Sequence, residues 1–155
     1  MHYGLDNESR CKFCCLGYET SVHLFGKCLK LKIVWDFFDE VMSLLNLQFS
    51  FATQRGVLHH FDVMSIPFQN KRDFRLLLYL TTIINHHIWK CRNACVHENT
   101  VFDYRILISK MIRTVGSRRN FQQHMITETK KIPRLDELFN TMITIRNITF
   151  NIDNG

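Results

Sequence analysis

Four side chains that can bind a metal ion lie within the first thirty residues, in the order Cys11, Cys14, His23 and Cys28. Two residues between two cysteines form a tight turn that can point both thiols at one ion. Structural zinc sites are closed by four Cys and His ligands in a tetrahedron. The pattern therefore predicts one structural Zn²⁺ site. Cys15 is an alternative to Cys14, because Cys11 and Cys15 form a second possible first pair.

This ligand pattern indicates a folding role rather than catalysis. A catalytic zinc keeps one position open for water, whereas four protein ligands fill the coordination sphere. Glu19 is the only carboxylate between the two ligand pairs. We expect it to orient His23 or to cap the following helix. No enzymatic activity and no small-molecule substrate are therefore expected.

The composition indicates a folded chain. It has 155 residues, is 46% hydrophobic and contains 13 Phe but only 2 Pro, which excludes global disorder. Residues 1–10 are polar and predict no secretory signal. The longest apolar stretch, Leu76 to Trp89, is too short and too polar to span a bilayer. We expect no membrane association and an intracellular location, nucleus or cytoplasm, where six cysteines indicate metal ligands or free thiols.

The charge favours an anionic partner. The net charge is +6, and residues 101–134 carry 8 Lys and Arg against 2 Asp and Glu. Lysine and arginine bind phosphates by displacing counterions, so the phosphate backbone of RNA or DNA is the expected partner. The candidate contacts lie downstream of the metal ligands, at Lys90, Arg92, Arg105, Arg113, Arg118, Arg119, Lys130 and Lys131. A solvated helix face is the alternative, and it is expected for about half of such residues.

Apolar periodicity predicts several helices. The first is expected to begin at Ser21 or Val22, with Ser21 as a cap, and to end near Asn46. Residues 47–69 are expected to form an irregular connection. The strongest pattern runs from Asn70 to about Val96 and predicts the central helix, because it is apolar on much of its circumference.

In the second half of the chain, the sequence marks the ends of helices less clearly. A long helix is predicted from Val101 to about Lys131, with a possible kink at Gly116-Ser117. A last helix is predicted from Asp136 to about Ile145. The β-branched residues from Ile143 to Ile152 could instead form a strand.

A second group of Cys and His residues falls in the predicted central helix. His87, Cys91 and Cys95 recur every four positions and so share one helix face. A second metal site is one interpretation. A buried face is favoured, because free cysteine behaves as a small hydrophobic residue and a single helix rarely supplies all ligands.

One stretch of the sequence resembles a known region. It consists of Cys11-x2-Cys14, Glu19-Thr20, His23-Leu24-Phe25, Cys28 and Trp35. It is similar to the zinc-binding region that follows reverse transcriptase in LINE-type non-LTR retrotransposon polyproteins. The later run Ile88-Trp89-Lys90-x-Arg92-Asn93 is similar to the helix that follows in such polyproteins. The resemblance implies the four zinc ligands, a packing role for Trp35 beneath the site, and a region that helps a polymerase hold RNA template or target DNA. A reverse transcriptase domain is then a further possible partner, although the chain has no Tyr-x-Asp-Asp motif.

Taken together, the sequence predicts a mostly α fold, with a small CCHC zinc module leading into a helical bundle. The expected division is a zinc-binding module with its following helix at 1–48 and a helical region at 49–155. The expected function is non-catalytic nucleic-acid binding. The alternatives are a scaffold element that docks on a polymerase or host factor, and a degenerate fragment without selected function.

Overall fold

The computed structural model describes residues 9–47, 49–50 and 71–154. Four α-helices form this part of the chain: α1 (Lys32–Leu44), α2 (Lys71–His97), α3 (Tyr104–Gln122) and α4 (Leu135–Asn154). Within these ranges there is no strand, and only an isolated bridge joins Arg10 to Tyr18. The Cys and His segment precedes α1. The prediction of a mostly α fold with this segment at its start is confirmed.

Helix α1 forms because its apolar residues repeat every three or four positions and face the core. Those that are buried are Val34, Trp35, Phe37, Phe38, Val41 and Met42. The helix ends where Asn46 adopts a left-handed backbone with φ of 58°. The Leu47 N–H donates to the Met42 carbonyl at 2.9 Å, and the Asn46 N–H to the Ser43 carbonyl at 3.1 Å. This pair of bonds is a Schellman motif, which satisfies carbonyls that the helix leaves unpaired.

The approach to α1 differs from the prediction of one helix beginning at Ser21 or Val22. A π-helical turn spans His23–Lys27 and a 3₁₀ turn spans Leu29–Leu31. Between them Cys28 has an extended backbone, with φ of −61° and ψ of 125°. Helical backbone does begin at Ser21, as predicted, but it is not one continuous helix, because the chain turns at Cys28 and α1 begins only at Lys32.

The helices pack in the order α2 on α3, α3 on α4 and α4 on α1, and α1 also contacts α3. Helix α3 therefore takes the central place that the sequence predicted for α2. Its buried face is formed by Leu107, Ile108, Met111, Ile112 and Val115. Helix α2 is less surrounded and buries one face, made of Leu76, Leu77, Leu80, Thr81, Ile83, Ile84 and Ile88.

Two predictions for the second half of the chain were wrong. Helix α3 ends at Gln122 rather than near Lys131. The helix is unbroken at Gly116, and the kink there stays a prediction. The Gln122 side chain both donates to the Ile132 carbonyl at 2.9 Å and accepts from the Ile132 N–H at 2.6 Å, which holds the returning loop against the helix end. Residues 143–152 are helical rather than a strand, because they continue α4, whose core face is already set by Leu135, Leu138, Met142 and Ile145.

One arginine joins three helices at one end of the bundle. The Arg134 Nη2 donates to the Leu45 carbonyl at 2.7 Å, at the end of α1. Its Nη1 contacts Asp73 in the first turn of α2 at 3.2 Å, and Nη2 contacts Glu137 in α4 at 2.9 Å. Arg134 itself has φ of 58°, which is a strained backbone conformation for a residue with a side chain. The contacts of its guanidinium hold the backbone in this conformation.

The described residues share one hydrophobic core, which extends from Cys11 and Cys28 through all four helices. The division predicted at residue 48 falls beside residues that the structure does not describe, so it stays a prediction. The irregular connection predicted for residues 47–69 lies mostly outside the described residues. The segment with the four Cys and His residues is thus built onto the bundle core and, among the described residues, does not have a core of its own.

Candidate metal centre

A tight loop from Cys11 to Gly17 presents the first two thiols. The Cys11 N–H donates to the Gly17 carbonyl at 2.8 Å, and the Cys15 N–H donates to the Cys11 carbonyl at 2.9 Å. Cys15 has φ of 57°, so the chain reverses at this residue. The Leu16 N–H then points at the Cys14 Sγ, at 3.5 Å. Cys14 therefore faces into the loop, whereas Cys15 is exposed.

The second pair comes from the turns before α1. Thr20 rather than Ser21 caps the first turn, since the Thr20 Oγ1 accepts from the His23 N–H at 3.0 Å. The Cys28 N–H donates to the His23 carbonyl at 2.8 Å, which is the wide hydrogen bond of a π-helical turn. This wide turn and the extended Cys28 that follows it bring the imidazole and the thiol to the same side of the chain.

The four predicted ligands converge on one point. The Cys11 Sγ lies 3.7 Å from the Cys28 Sγ, and the Cys14 Sγ lies 3.2 Å from the His23 Nε2. All four ligand atoms lie within 4.8 Å of one another. Three thiols and one imidazole in this arrangement can hold a metal ion. The sequence left open whether Cys14 or Cys15 belongs to this group, and in the structure the member is Cys14.

The thiols differ in acidity in the metal-free state. Burial raises the pKa of Cys28 to about 12 and also raises the pKa of Cys11. Burial opposes ionisation of Cys14 too, but hydrogen bonds from the Leu16 backbone and from the other two thiols outweigh it and lower the pKa of Cys14. Cys14 is therefore the first of the three to ionise. A bound cation would favour the thiolate form of the other two, since metals bind thiolates.

Glu19 ties the site to the bundle in a way that the sequence did not reveal. Its Oε1 accepts from the Arg92 Nε at 2.7 Å, and its Oε2 accepts from the Lys12 N–H at 3.2 Å. Glu19 thus fixes the loop between Cys11 and Cys14, rather than orienting His23 or capping a helix. Trp35 is buried in the same core cluster as Cys11 and Cys28, in keeping with the packing role implied for it.

The second Cys and His group forms no comparable site. Within the described ranges, the cluster of Cys11, Cys14, His23 and Cys28 is the one group of ligand atoms close enough to share an ion. His87 instead contacts Thr114, with its Nε2 2.7 Å from the Thr114 Oγ1. Burial raises the pKa of Cys91 to about 11. These observations agree with the favoured interpretation of this group as a partly buried helix face.

At least half of the predicted phosphate contacts already have intramolecular partners. Arg92 pairs with Glu19, Arg119 with Asp136 at 3.2 Å, and Lys131 with Glu128 at 2.8 Å. The Arg118 Nη2 donates to the Lys130 carbonyl at 3.3 Å. These four residues are therefore at least partly structural. Three of the others are exposed (Lys90, Arg113 and Lys130), while Arg105 is partly buried against the Tyr104 ring.

An open groove between α2 and α3 is lined by exposed cations that are far apart in the sequence. It has a volume of about 750 Å³ and is lined by Lys90 from α2 and by Lys110 and Arg113 from α3. Lys110 was absent from the predicted contacts. Helical spacing could have indicated it, since Lys110 and Arg113 are three residues apart and so lie on one face of α3.

No protein-family model, curated protein or solved structure matches this chain. The resemblance to the retrotransposon region therefore depends on the sequence motifs alone. In the described residues, no helix is both long enough and apolar enough to cross a membrane. The class that fold and site define is a helical domain with, at its amino-terminal side, a Cys₃His group that can hold a metal ion.

Proposed function

We propose that the chain is a non-catalytic, zinc-stabilised module that binds nucleic acid. The observation that carries the metal part is the distance between the ligand atoms. Zinc bonds of about 2.3 Å to sulfur and about 2.05 Å to nitrogen place two tetrahedral sulfurs about 3.8 Å apart, and a sulfur and a nitrogen about 3.6 Å apart. The corresponding distances are 3.7 Å for Cys11–Cys28 and 3.2 Å for Cys14–His23. Thiolates with one imidazole are a ligand set that zinc prefers.

The surroundings of the site support a structural role for the metal. Four protein ligands leave no open position at which water could be activated. The carboxylate between the two ligand pairs in the sequence, Glu19, is engaged by Arg92 and by the Lys12 N–H. It is therefore poorly placed to act as a general base. The metal would instead join the Cys11 loop to the start of α1, much as a disulfide closes a chain loop.

The nucleic-acid part is supported by charge and by the sequence resemblance. The net charge is +6, and exposed cations lie on α2 and α3. The motifs shared with LINE-type polyproteins suggest RNA template or target DNA as the partner, with a reverse transcriptase domain as a neighbour. Such a module would act in the nucleus or in the cytoplasm.

Metal analysis of purified protein tests the zinc site. We expect one zinc per chain in the wild type and in Cys15→Ser, which changes an exposed thiol beside the site. Cys14→Ser should bind zinc much more weakly, because one of three thiolates is lost. Equal zinc in Cys14→Ser and the wild type would remove Cys14 from the ligand set, and absence of zinc from the wild type would defeat the metal assignment.

Binding to RNA and to DNA at several salt concentrations tests the second half of the proposal. Phosphate contacts release counterions, so the affinity should fall steeply as salt rises. Titration of labelled single strands and duplexes, measured by fluorescence anisotropy, gives this dependence. Failure to bind any of them at low salt would defeat the nucleic-acid assignment while leaving the zinc site intact.

A docking role is the second candidate, and three exposed apolar side chains favour it. These are Leu16, Tyr18 and Leu29, which are 76%, 66% and 68% exposed. Exposed apolar side chains that share a surface are typical of protein interaction sites, and the docking role requires these three to do so. Under this alternative, association with a reverse transcriptase domain would survive nuclease treatment and high salt. It would be lost in Leu16→Asp combined with Leu29→Asp.

A further inference from the structure

The groove between α2 and α3 has a cationic end. Lys90, Lys110 and Arg113 line it and are all exposed. In the described part of the chain none of the three forms an ion pair, in contrast to Arg92, Arg119 and Lys131. His87 lines the same groove, and its pKa is lowered chiefly by burial and further by the charges of His86, Lys90 and Lys110, so both lysines are close enough to act on one group. Three unpaired cations around one groove form a site for an anionic group.

The other end of the groove is chemically different. There, at the connection between the two helices, it is lined by Val101 and Ile106, which are 89% and 55% exposed. The carboxylates of Glu98 and Asp103 line the same end. Eight residues separate Lys90 from Glu98, which is about 12 Å along a helix axis. An occupant therefore needs an anionic group at one end, and an apolar surface with hydrogen-bond donors at the other.

We propose that this groove binds single-stranded nucleic acid, with phosphate against Lys90, Lys110 and Arg113 and a base against Val101 and Ile106. A nucleotide unit has the required polarity, since it joins a phosphate to a flat base whose amino and imino groups can donate to a carboxylate. Phosphate is repelled from Glu98 and Asp103, so the orientation is fixed. The inference rests on the proposed function and assigns the place on the chain where that function occurs.

The size of the groove favours a single strand over a duplex. A volume of about 750 Å³ is within the range of pockets that hold one small molecule, and it has room for about one or two nucleotides. A duplex keeps its bases stacked inside and presents only its backbone to a groove of this width. The apolar end would then have no occupant. Single strands expose bases that can contact side chains directly.

A triple variant, Lys90→Gln with Lys110→Gln and Arg113→Gln, tests the cationic end. For a single strand, each phosphate that is no longer neutralised should reduce the slope of log affinity against log salt by about 0.7, or by about 0.7–1.4 for the one or two nucleotides that the groove can hold. The affinity at low salt should fall at least tenfold. The matched control is Lys27→Gln with Lys71→Gln and Arg72→Gln, which removes the same charge at exposed sites outside the groove. Its slope should stay close to that of the wild type.

Two competitors test the rest of the proposal. A strand of abasic sites keeps the phosphates and loses the bases, so it should bind more weakly than the normal strand with a similar salt slope. Polyglutamate of equal charge should compete poorly. Equal competition by polyglutamate, or tighter binding of duplex than of single strand, would overturn the assignment in favour of an acidic protein surface or a backbone site.

The outcomes separate this inference from the proposed function. If the wild type binds no nucleic acid, the proposed function fails, and the inference with it. If the wild type binds and the groove variant has the same slope and affinity, the inference alone is overturned. Both triple variants should fold, since all six side chains are exposed at the surface. Circular dichroism checks that they do.

Discussion

Glu19 and Arg92 are 73 residues apart in sequence, and the Glu19 Oε1 lies 2.7 Å from the Arg92 Nε. Their side chains are only 12% and 22% exposed. The second carboxylate oxygen of Glu19 accepts from the backbone of Lys12, inside the loop that presents Cys11 and Cys14. One carboxylate thus joins the metal-binding loop to the last turns of α2.

Glu19→Gln should lower the free energy of unfolding by about 1–3 kcal/mol, because it leaves a partly buried guanidinium without its counter-charge. Urea denaturation of the zinc-loaded protein measures this. The control is Lys32→Ala, which breaks a surface pair with Asp36 whose side chains are 67% and 47% exposed. That change should cost less than about 1 kcal/mol.

A double-mutant cycle tests whether the two side chains act together. Glu19→Gln and Arg92→Met should be non-additive, with a coupling of about 0.5–3 kcal/mol, since they remove the same interaction. Additive effects would contradict a direct ion pair between them.

Removal of the metal should affect residues 9–31 first. The backbone hydrogen bonds that shape the Cys11 loop and the turns before α1 join residues 9–31 to one another, whereas α2, α3 and α4 bury faces against one another. Addition of a chelator should therefore speed amide hydrogen exchange in residues 9–31 while most of the far-ultraviolet helical signal remains. Cys15→Ser should respond like the wild type. Complete loss of helical signal on chelation would show that the bundle cannot fold without the metal.

His87 should make the stability depend on pH. Burial, aided by the charges of His86, Lys90 and Lys110, lowers the pKa of His87 to about 4 in the folded state, from 6.5. Between these values the unfolded state binds more protons, so stability is complete above pH 6.5 and falls as pH falls toward 4. One group can contribute a slope of at most about 1.4 kcal/mol per pH unit. Thermal denaturation from pH 4 to pH 7 measures it.

His87→Gln should flatten this slope, because the amide does not titrate. Thr114→Val offers a second test. It removes the hydroxyl that lies 2.7 Å from the His87 Nε2 but leaves the imidazole buried, so it should reduce stability at every pH and preserve the slope. A wild-type slope in His87→Gln would contradict the assignment.

Gly116 in α3 should not tolerate even a methyl group. An added Cβ would lie 2.8 Å from the Phe139 Cε2 of α4. The guanidinium of Arg119 lies 4.7 Å from the centre of that ring and limits its movement. Gly116→Ala gains about 1 kcal/mol of helix propensity, but overpacking costs about 1–3 kcal/mol, so we expect a net loss.

Chemical denaturation of three variants checks the cause. Ser117→Ala, at an exposed neighbouring position, should change stability by less than about 0.5 kcal/mol. Gly116→Ala with Phe139→Leu should recover part of the loss, because the smaller side chain leaves room for the methyl. Stabilisation by Gly116→Ala alone would show that the helices separate easily.

The ligand set was predictable from sequence because Cys11, Cys14, His23 and Cys28 lie close together in the chain, and local spacing carries the geometry. The buried faces were predictable for the same reason, since three-and-four periodicity is local. The end of α3 was not, because no Gly or Pro marks it. There the chain turns back through two hydrogen bonds between Gln122 and Ile132.

Long-range contacts account for the other differences. The partner of Glu19 lies on α2, 73 residues further along the chain, and no feature near Glu19 in the sequence points to Arg92. The β-branched residues of α4 favour a strand by local preference. Packing of Leu138 and Met142 into the core overrides that preference. The α2–α3 groove likewise exists only after two helices pack, so its three cations appear in sequence as unrelated charges.

Arg134 has a consequence for the order in which the protein can assemble during synthesis. All four metal ligands are available once residue 28 has been made, so the metal loop can close early. The ends of α1 and α2 that meet Arg134, at Leu45 and Asp73, are translated 89 and 61 residues before it. The contacts that Arg134 makes with them can form only after Arg134 has left the ribosome. This connection between the ends of α1 and α2 therefore forms late, after α3 has been made and just before α4.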